Sequence, residues 1–359
     1  MDFDRRTLLV ATSLLLTSAC AKASGDAPKP PASGKGSGKG NNRTAMPAAA
    51  SRLAPEDWKR FKAAFLHSDG RIVDTGNGGI SHSEGQGYGM LLAETAADQE
   101  AFNSLFGWTE QVLARKDVAL YSWRYVPKDA VPVADTNNAT DGDILIAWAL
   151  MRAYDRWHRP EYRDRAHQIR SAIRTRLVSA QDGRTLLLPA LVGFTAPDRT
   201  TVNPSYYIWP ALDLFARADG ADGGWSALIA DGERLAGEAR FGPSRLPTDW
   251  VDVTSGGVAP AAGKPPRFGF DAVRVPLYQL MGGRRALTSD VAAYWSGFAG
   301  RGARIPAWVD VVTGEVAEYG LSEGGLAVVH RLVGAAGTGP PPGASRDYYS
   351  DVLALLTQI

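Results

Sequence analysis

A single cysteine in 359 residues excludes a disulfide framework within the chain. Histidine is nearly as scarce: His67, His82, His158, His167 and His330 show no His-x-x-x-His spacing and no cysteine partner, so the sequence carries no zinc signature. No metal and no cofactor is expected. Neither sign of charge dominates. The formal net charge is +1, with Lys and Arg interspersed among Asp and Glu, and such a surface offers no basic face on which a nucleic acid would release its counterions. There is no Gly-x-Ser-x-Gly elbow for a serine hydrolase and no Gly-x-Gly-x-x-Gly turn after a strand for a dinucleotide. The Gly38-Lys39 pair is followed by Gly40, where a phosphate loop needs Ser or Thr.

The apolar run Leu8 to Leu16 is too short for an ordinary membrane-spanning helix. It follows Arg5-Arg6 and precedes Thr17-Ser18-Ala19-Cys20, which resembles a bacterial lipobox in which Cys20 is lipidated after cleavage before it. Asp4-Arg5-Arg6-Thr7-Leu8-Leu9 also resembles a twin-arginine export signal, and an ordinary cleaved signal with Cys20 incidental remains the alternative. Residues 1–20 are therefore read as a signal peptide of lipoprotein type. Residues 21–50 are Gly, Pro, Ser, Ala and Lys with almost nothing to bury, a flexible tether. The expectation is an exported protein, periplasmic or at the cell surface, whose membrane contact is a lipid at Cys20.

Residues 51–359 form the domain that can bury a core, in a chain that is 45% hydrophobic overall. Gly, Pro and Asn clusters punctuate helical segments of ten to twenty residues. Ile144, Ala147, Trp148, Met151 and Tyr154 mark one helical stripe; Ile146, Ala149, Leu150, Ala153 and Trp157 mark another. A helix apolar nearly all round is buried on both sides. From Ala166 to Leu177, by contrast, Ile169, Ala172, Ile173 and Leu177 share one face while Arg165, Gln168, Arg170 and Arg174 lie elsewhere, the pattern of an outer helix. Buried inner helices alternating with amphipathic outer ones predict an all-α double barrel. Short β pieces are expected near Arg184 to Leu188 and Arg304 to Asp310.

Three acid-bearing segments stand out against this background. In Ser81-His82-Ser83-Glu84-Gly85-Gln86-Gly87-Tyr88-Gly89-Met90, Ser83 and Gln86 have capping-box spacing, which places Glu84 at the start of a helix. An acid there is explained equally well by the helix dipole. The three glycines weigh against so plain a reading, because each costs roughly 1 kcal/mol relative to Ala in a helix, and they suggest that substrate approaches the backbone. Asp141 and Asp143 in Ala139-Thr140-Asp141-Gly142-Asp143 sit at the mouth of the buried helix, where capping is again the alternative to sugar binding. Asp271 precedes Arg274 by one helical turn, close enough for the guanidinium to hold the carboxylate ionised, as a general base requires. Phe268, Phe270, Val273 and Val275 argue against an open surface pair. Ten Trp, twelve Tyr and eleven Phe permit a cleft in which sugar rings stack on aromatic faces.

Ala139-Thr140-Asp141-Gly142-Asp143, continued by Ile146-Ala147, Ala149-Leu150-Met151, Ala153 and Trp157, resembles the signature of glycoside hydrolase family 8, and the resemblance spans residues 51–359. It implies an (α/α)6 barrel with inverting, endo-acting chemistry. By that resemblance Glu84 is the general acid, Asp271 the general base and Asp141 the acid that binds and distorts the sugar, with Arg274 beside the base. Trp123 and Tyr206 correspond to stacking residues. Within the family, the leader and the Glu-Gly-Gln-Gly-Tyr wording are similar to endoglucanases associated with bacterial cellulose synthesis. The implied substrate is β-1,4-glucan, and the implied partner the cellulose synthase machinery. A xylanase of the same family and a non-catalytic glucan-binding barrel are the alternatives.

Overall fold

The structure, a computed structural model, describes residues 53–334 and 347–359. The expected signal peptide, Cys20 and the tether lie outside the described residues. Eleven α-helices run through the described part: α1 (Pro55–Phe65), α2 (Ser83–Thr95), α3 (Gln99–Val112), α4 (Thr140–Trp157), α5 (Pro160–Arg176), α6 (Trp209–Asp219), α7 (Trp225–Glu238), α8 (Arg274–Met281), α9 (Ser289–Ala299), α10 (Glu323–Val333) and α11 (Tyr348–Leu356). The architecture is the all-α double barrel. All thirteen residues of α2 and eight of the nine in α11 are buried, whereas α3, α5, α7 and α10 bury a single stripe. Packing passes around the ring from α2 to α4, α6, α8, α10, α11 and α1. It closes where the Tyr348 ring meets the His82 ring edge-on at 5.7 Å.

Helix α4 is buried from Thr140 through Leu150, as its two apolar stripes predict, but Met151, Tyr154 and Trp157 are only half-buried. The change comes where Arg152 and Arg156 leave α4 to clamp the buried Glu94 of α2, at 2.6 and 2.7 Å. In α5 one residue departs from its expected face. Arg170 is buried and makes a bidentate pair with Asp219 at the end of α6, and that partner is what lets a guanidinium enter the core.

The glycines of α2 also have a different cause from the one their sequence suggests. A β-carbon on Gly87 would stand 2.5 Å from Leu145 Cβ of α4, and one on Gly89 would stand 2.9 Å from the Ile72 side chain. Gly87 lets α2 and α4 touch backbone to backbone, and Gly89 makes room for Ile72 of the preceding loop and Leu105 of α3, so both glycines face packed side chains.

Arg184–Leu187 pairs antiparallel with Val178–Gln181, close to expectation. The stretch from Arg304 to Asp310 forms a strand only at Val309–Asp310, paired with Arg267–Phe268. A four-stranded antiparallel sheet (Thr195–Ala196, Arg199–Val202, Val251–Thr254, Gly257–Pro260) carries too little alternation to have been read from sequence. These short pairings matter because they sit beside helix starts. Ser81–His82, paired with Arg124–Tyr125, leads directly into α2, and Arg267–Phe268 leads into the turn before α8.

Candidate active site

His82, rather than Ser83, caps α2. Its Nδ1 accepts the Gly85 N–H at 2.9 Å, which leaves the ring hydrogen on Nε2, facing Asp74 Oδ2 at 3.3 Å. Ser83 is already helical, and its buried hydroxyl has no hydrogen-bond partner among the described residues. Gln86 does not reach back to the cap either. Its Oε1 accepts the Ile72 N–H at 2.6 Å, and its Nε2 donates to Thr109 Oγ1 at 2.9 Å, tying α2 to α3 and to the preceding loop. Glu84 is thereby fixed at the barrel end where α2 begins, only 3% exposed.

Beside it, α4 starts at Thr140, whose hydroxyl donates to the Leu188 carbonyl at 2.7 Å instead of capping the helix. Asp141 is 4% exposed, and its Oδ1 accepts the Gly142 N–H at 2.8 Å. Asp143, two residues on, serves a different purpose. It accepts the Tyr121 N–H at 2.9 Å and the Asn138 Nδ2 at 2.8 Å, and burial pushes its carboxyl up to about 7 against the pull of those two bonds. It braces the loop before α4 and is not part of the carboxyl cluster.

Arg274, the first residue of α8, joins the three segments. Its Nη1 donates to Glu84 Oε1 and, at 3.0 Å, to Tyr88 OH, and lies 3.7 Å from Asp141 Oδ2. Its Nη2 donates to Asp271 Oδ1 at 2.6 Å and to Ser205 Oγ at 3.1 Å. Asp271 lies in the turn before α8 and not in the helix, yet the three-residue spacing still brings the pair together. The exposures differ from the apolar flanks' suggestion: the Arg274 side chain is 2% exposed, but that of Asp271 is 33%. Asn203 Nδ2 holds the other Asp271 oxygen at 3.0 Å. One guanidinium thus spans Glu84 and Asp271, with the third carboxyl, Asp141, close by and the more open carboxylate facing solvent.

Trp123 and Tyr206 flank this cluster without presenting full faces, being 5% and 7% exposed. Trp123 donates Nε1 to Asp135 at 2.6 Å and carries the Arg124 guanidinium 4.7 Å from its ring; its carbonyl accepts the Ser83 N–H at 3.0 Å. Tyr206 packs edge-on to Trp250, three residues beyond Asn203.

Several residues of the cluster escaped sequence reading. Tyr88 had a usable signal, since it lies one helical turn beyond Glu84; its hydroxyl meets Tyr278 OH at 2.8 Å, and burial raises both phenols, Tyr278 to about 12. Asn203, Ser205 and Asp249 had none, because each arrives from a loop distant in sequence. Asp249 accepts the N–H groups of Asp271 at 3.0 Å and Ala272 at 2.7 Å. Burial first, then the Asp271 charge, push its carboxyl upward, while these backbone bonds pull against them.

Residues 41–359 match glycosyl hydrolases family 8. A probable endoglucanase from Novacetimonas hansenii is 42% identical over 309 residues, covering 85% of this chain and 90% of that one. Among solved structures, a family 8 endoglucanase from Klebsiella pneumoniae superposes with a TM-score of 0.79 at 40% identity, over 84% of this chain and 97% of its own. An endo-β-1,4-glucanase from Acetobacter xylinum gives 0.79 at 41%, over 86% and 97%.

Proposed function

The chain belongs to glycosyl hydrolases family 8, and from that premise we propose that it is an endo-1,4-β-glucanase that cuts cellulose-type glucan with inversion, Glu84 acting as general acid and Asp271 as general base. The glucanase reading draws on relatives at 40–42% identity over more than four-fifths of the chain, each carrying an endoglucanase name.

The observation that carries the assignment of roles is the shared guanidinium. Arg274 brings one positive charge to three carboxyls, two of them almost wholly buried. Leaving all three ionised would place uncompensated negative charge in a low-dielectric site, so the cluster favours keeping a proton. Glu84 is buried and receives the Arg274 and Tyr88 donors on Oε1, and in this scheme it holds the proton on Oε2 and delivers it to a leaving oxygen. Asp271 is held ionised by Arg274 and Asn203 and is open enough to meet a water. Asp141, close to the same guanidinium, is available to the sugar. Inverting pairs stand roughly 6.5–9.5 Å apart to admit that water.

Proton NMR of early products tests the scheme. A β-glucan cut with inversion yields the α-anomer first; initial appearance of the β-anomer would remove Asp271 from the base role. Reducing-sugar release from carboxymethyl cellulose, with xylan in parallel, separates a glucanase from a xylanase and either from a barrel that only binds. We also propose export through residues 1–20, anchorage at Cys20 in the periplasm or at the cell surface, and work beside the cellulose synthase machinery. Support comes from the lipobox-like leader and tether, with the wording around Glu84. Globomycin-sensitive processing and palmitate labelling are expected, both abolished in Cys20→Ala, and cellulose synthase genes are expected as chromosomal neighbours.

A further inference from the structure

Asp249 ends the loop that enters the strand Val251–Thr254, and its own N–H donates to the Arg267 carbonyl at 2.9 Å. Its backbone is therefore fixed at the junction of the four-stranded sheet and the Arg267–Phe268 strand. From there the side chain reaches under the turn before α8. A single oxygen, Oδ1, takes the N–H groups of two consecutive residues, Asp271 and Ala272. On the other side, a β-carbon on Gly269 would stand 2.7 Å from Asp249 Oδ2, so the glycine leaves room that the carboxyl occupies.

We propose that Asp249 is the positioning residue of the base: by gathering the backbone N–H groups of the 269–272 turn onto one carboxyl, it sets where Asp271 stands relative to Glu84. The inference rests on the reading of Asp271 as the base. The side chains of Arg274 and Asn203 grip the Asp271 carboxylate, and neither side chain holds its main chain. The path of that main chain is set by Asp249 together with the Val273 N–H bond to the Gly269 carbonyl at 3.0 Å, the Arg274 N–H bond to the Asp271 carbonyl at 3.1 Å and the Tyr349 hydroxyl, which donates to the Phe270 carbonyl at 2.5 Å; among these, Asp249 alone holds the N–H groups of Asp271 and Ala272. An error of about 1 Å in the position of an attacking water is worth on the order of a hundredfold in rate, which gives such a support a measurable effect without any contact to substrate.

The test compares Asp249→Ala, Asp249→Asn and Gly269→Ala with wild type and Asp271→Asn, measuring kcat, KM on carboxymethyl cellulose and Tm. Asp249→Ala should lower kcat at least about tenfold while KM stays within about twofold, since the turn is displaced but the sugar sites remain. Asp249→Asn keeps an oxygen for the two N–H groups and should recover most of that loss. Gly269→Ala, whose methyl displaces the carboxyl, should resemble Asp249→Ala and serves as the second route if that variant fails to fold. Wild-type kcat in Asp249→Ala or Gly269→Ala overturns the positioning role, as does an Asn variant that is folded and no better than Ala. Wild-type turnover in Asp271→Asn would instead sink the base assignment, and the present inference with it.

Discussion

Gly142 of α4 presses against Ser83 of α2 so closely that a β-carbon on the glycine would stand 2.2 Å from the serine hydroxyl and 2.7 Å from the Glu84 backbone nitrogen. The helix starts carrying Asp141 and Glu84 are therefore set by direct contact as well as by the loops that lead into them. Gly142→Ala has to drive them apart, because backbone is part of what the methyl meets. Overpacking of this kind costs about 1–3 kcal/mol, and displacement of the acid should lower kcat by roughly a hundredfold. A lowered Tm together with the kcat loss is expected; normal kcat in the folded variant would show that the two starts tolerate separation.

Glu84→Gln retains the size and the hydrogen-bonding reach of the side chain but has no proton to give. It should lose at least about a hundredfold in kcat on carboxymethyl cellulose, within the range of general acid catalysis, with KM little changed. Near-normal turnover would reduce Glu84 to a residue that merely complements the start of α2.

The helices were legible because burial leaves a period in the sequence: the two stripes of α4 and the one of α5 follow from which faces meet other helices. Glu84, Asp141, Asp271 and Arg274 stood out as acids and their partner amid glycines and apolar residues, and the fold brings these four side chains together. What stayed hidden depends on distant chain segments. The capping imidazole of His82 competes with a plausible Ser83 box, and only the approach of α4 and Asp74 decides between them. The glycines of α2 look like room for substrate until Leu145 and Ile72 are found against them. Asp249, Asn203 and Ser205 sit in loops with no periodicity, and their roles exist only once the turn at Asp271 is folded beside them.

Arg274 compensates Glu84 and Asp141 in a place water scarcely reaches. Arg274→Ala leaves the buried Glu84–Asp141 pair, which carries one charge when Glu84 holds its proton, without a countercharge, which typically costs about 3–5 kcal/mol. The loss should shrink as pH falls, because protonating those carboxyls removes the uncompensated charge. Arg274→Lys keeps the charge but, as a point donor, cannot grip Glu84 and Asp271 with separate nitrogens. It should retain more of the Tm than the Ala variant yet still lose roughly a hundredfold in kcat. Full activity in the Lys variant would show that charge alone suffices and that the fork geometry does not matter.

Asp143 supplies a prediction for pH. Fully buried, it is pushed from 3.8 to about 7, by burial first, with the Asn138 and Tyr121 bonds opposing. Because the folded-state value lies above the unfolded one, the folded chain binds this proton more tightly. The associated stability is fully present below about pH 4 and is lost as pH rises to about 7, beyond which the loss is complete. A rise of that size corresponds to at most on the order of 4 kcal/mol. Asp143→Asn cannot titrate, so Tm of wild type minus Tm of the variant should fall by several degrees between pH 5 and pH 8 and then level off. Taking the difference cancels the titration of every other group, and it also sets aside the fixed penalty of placing an amide against Asn138. A difference that stays flat across that range would mean that Asp143 remains ionised in the fold, held by Tyr121 and Asn138 despite its burial.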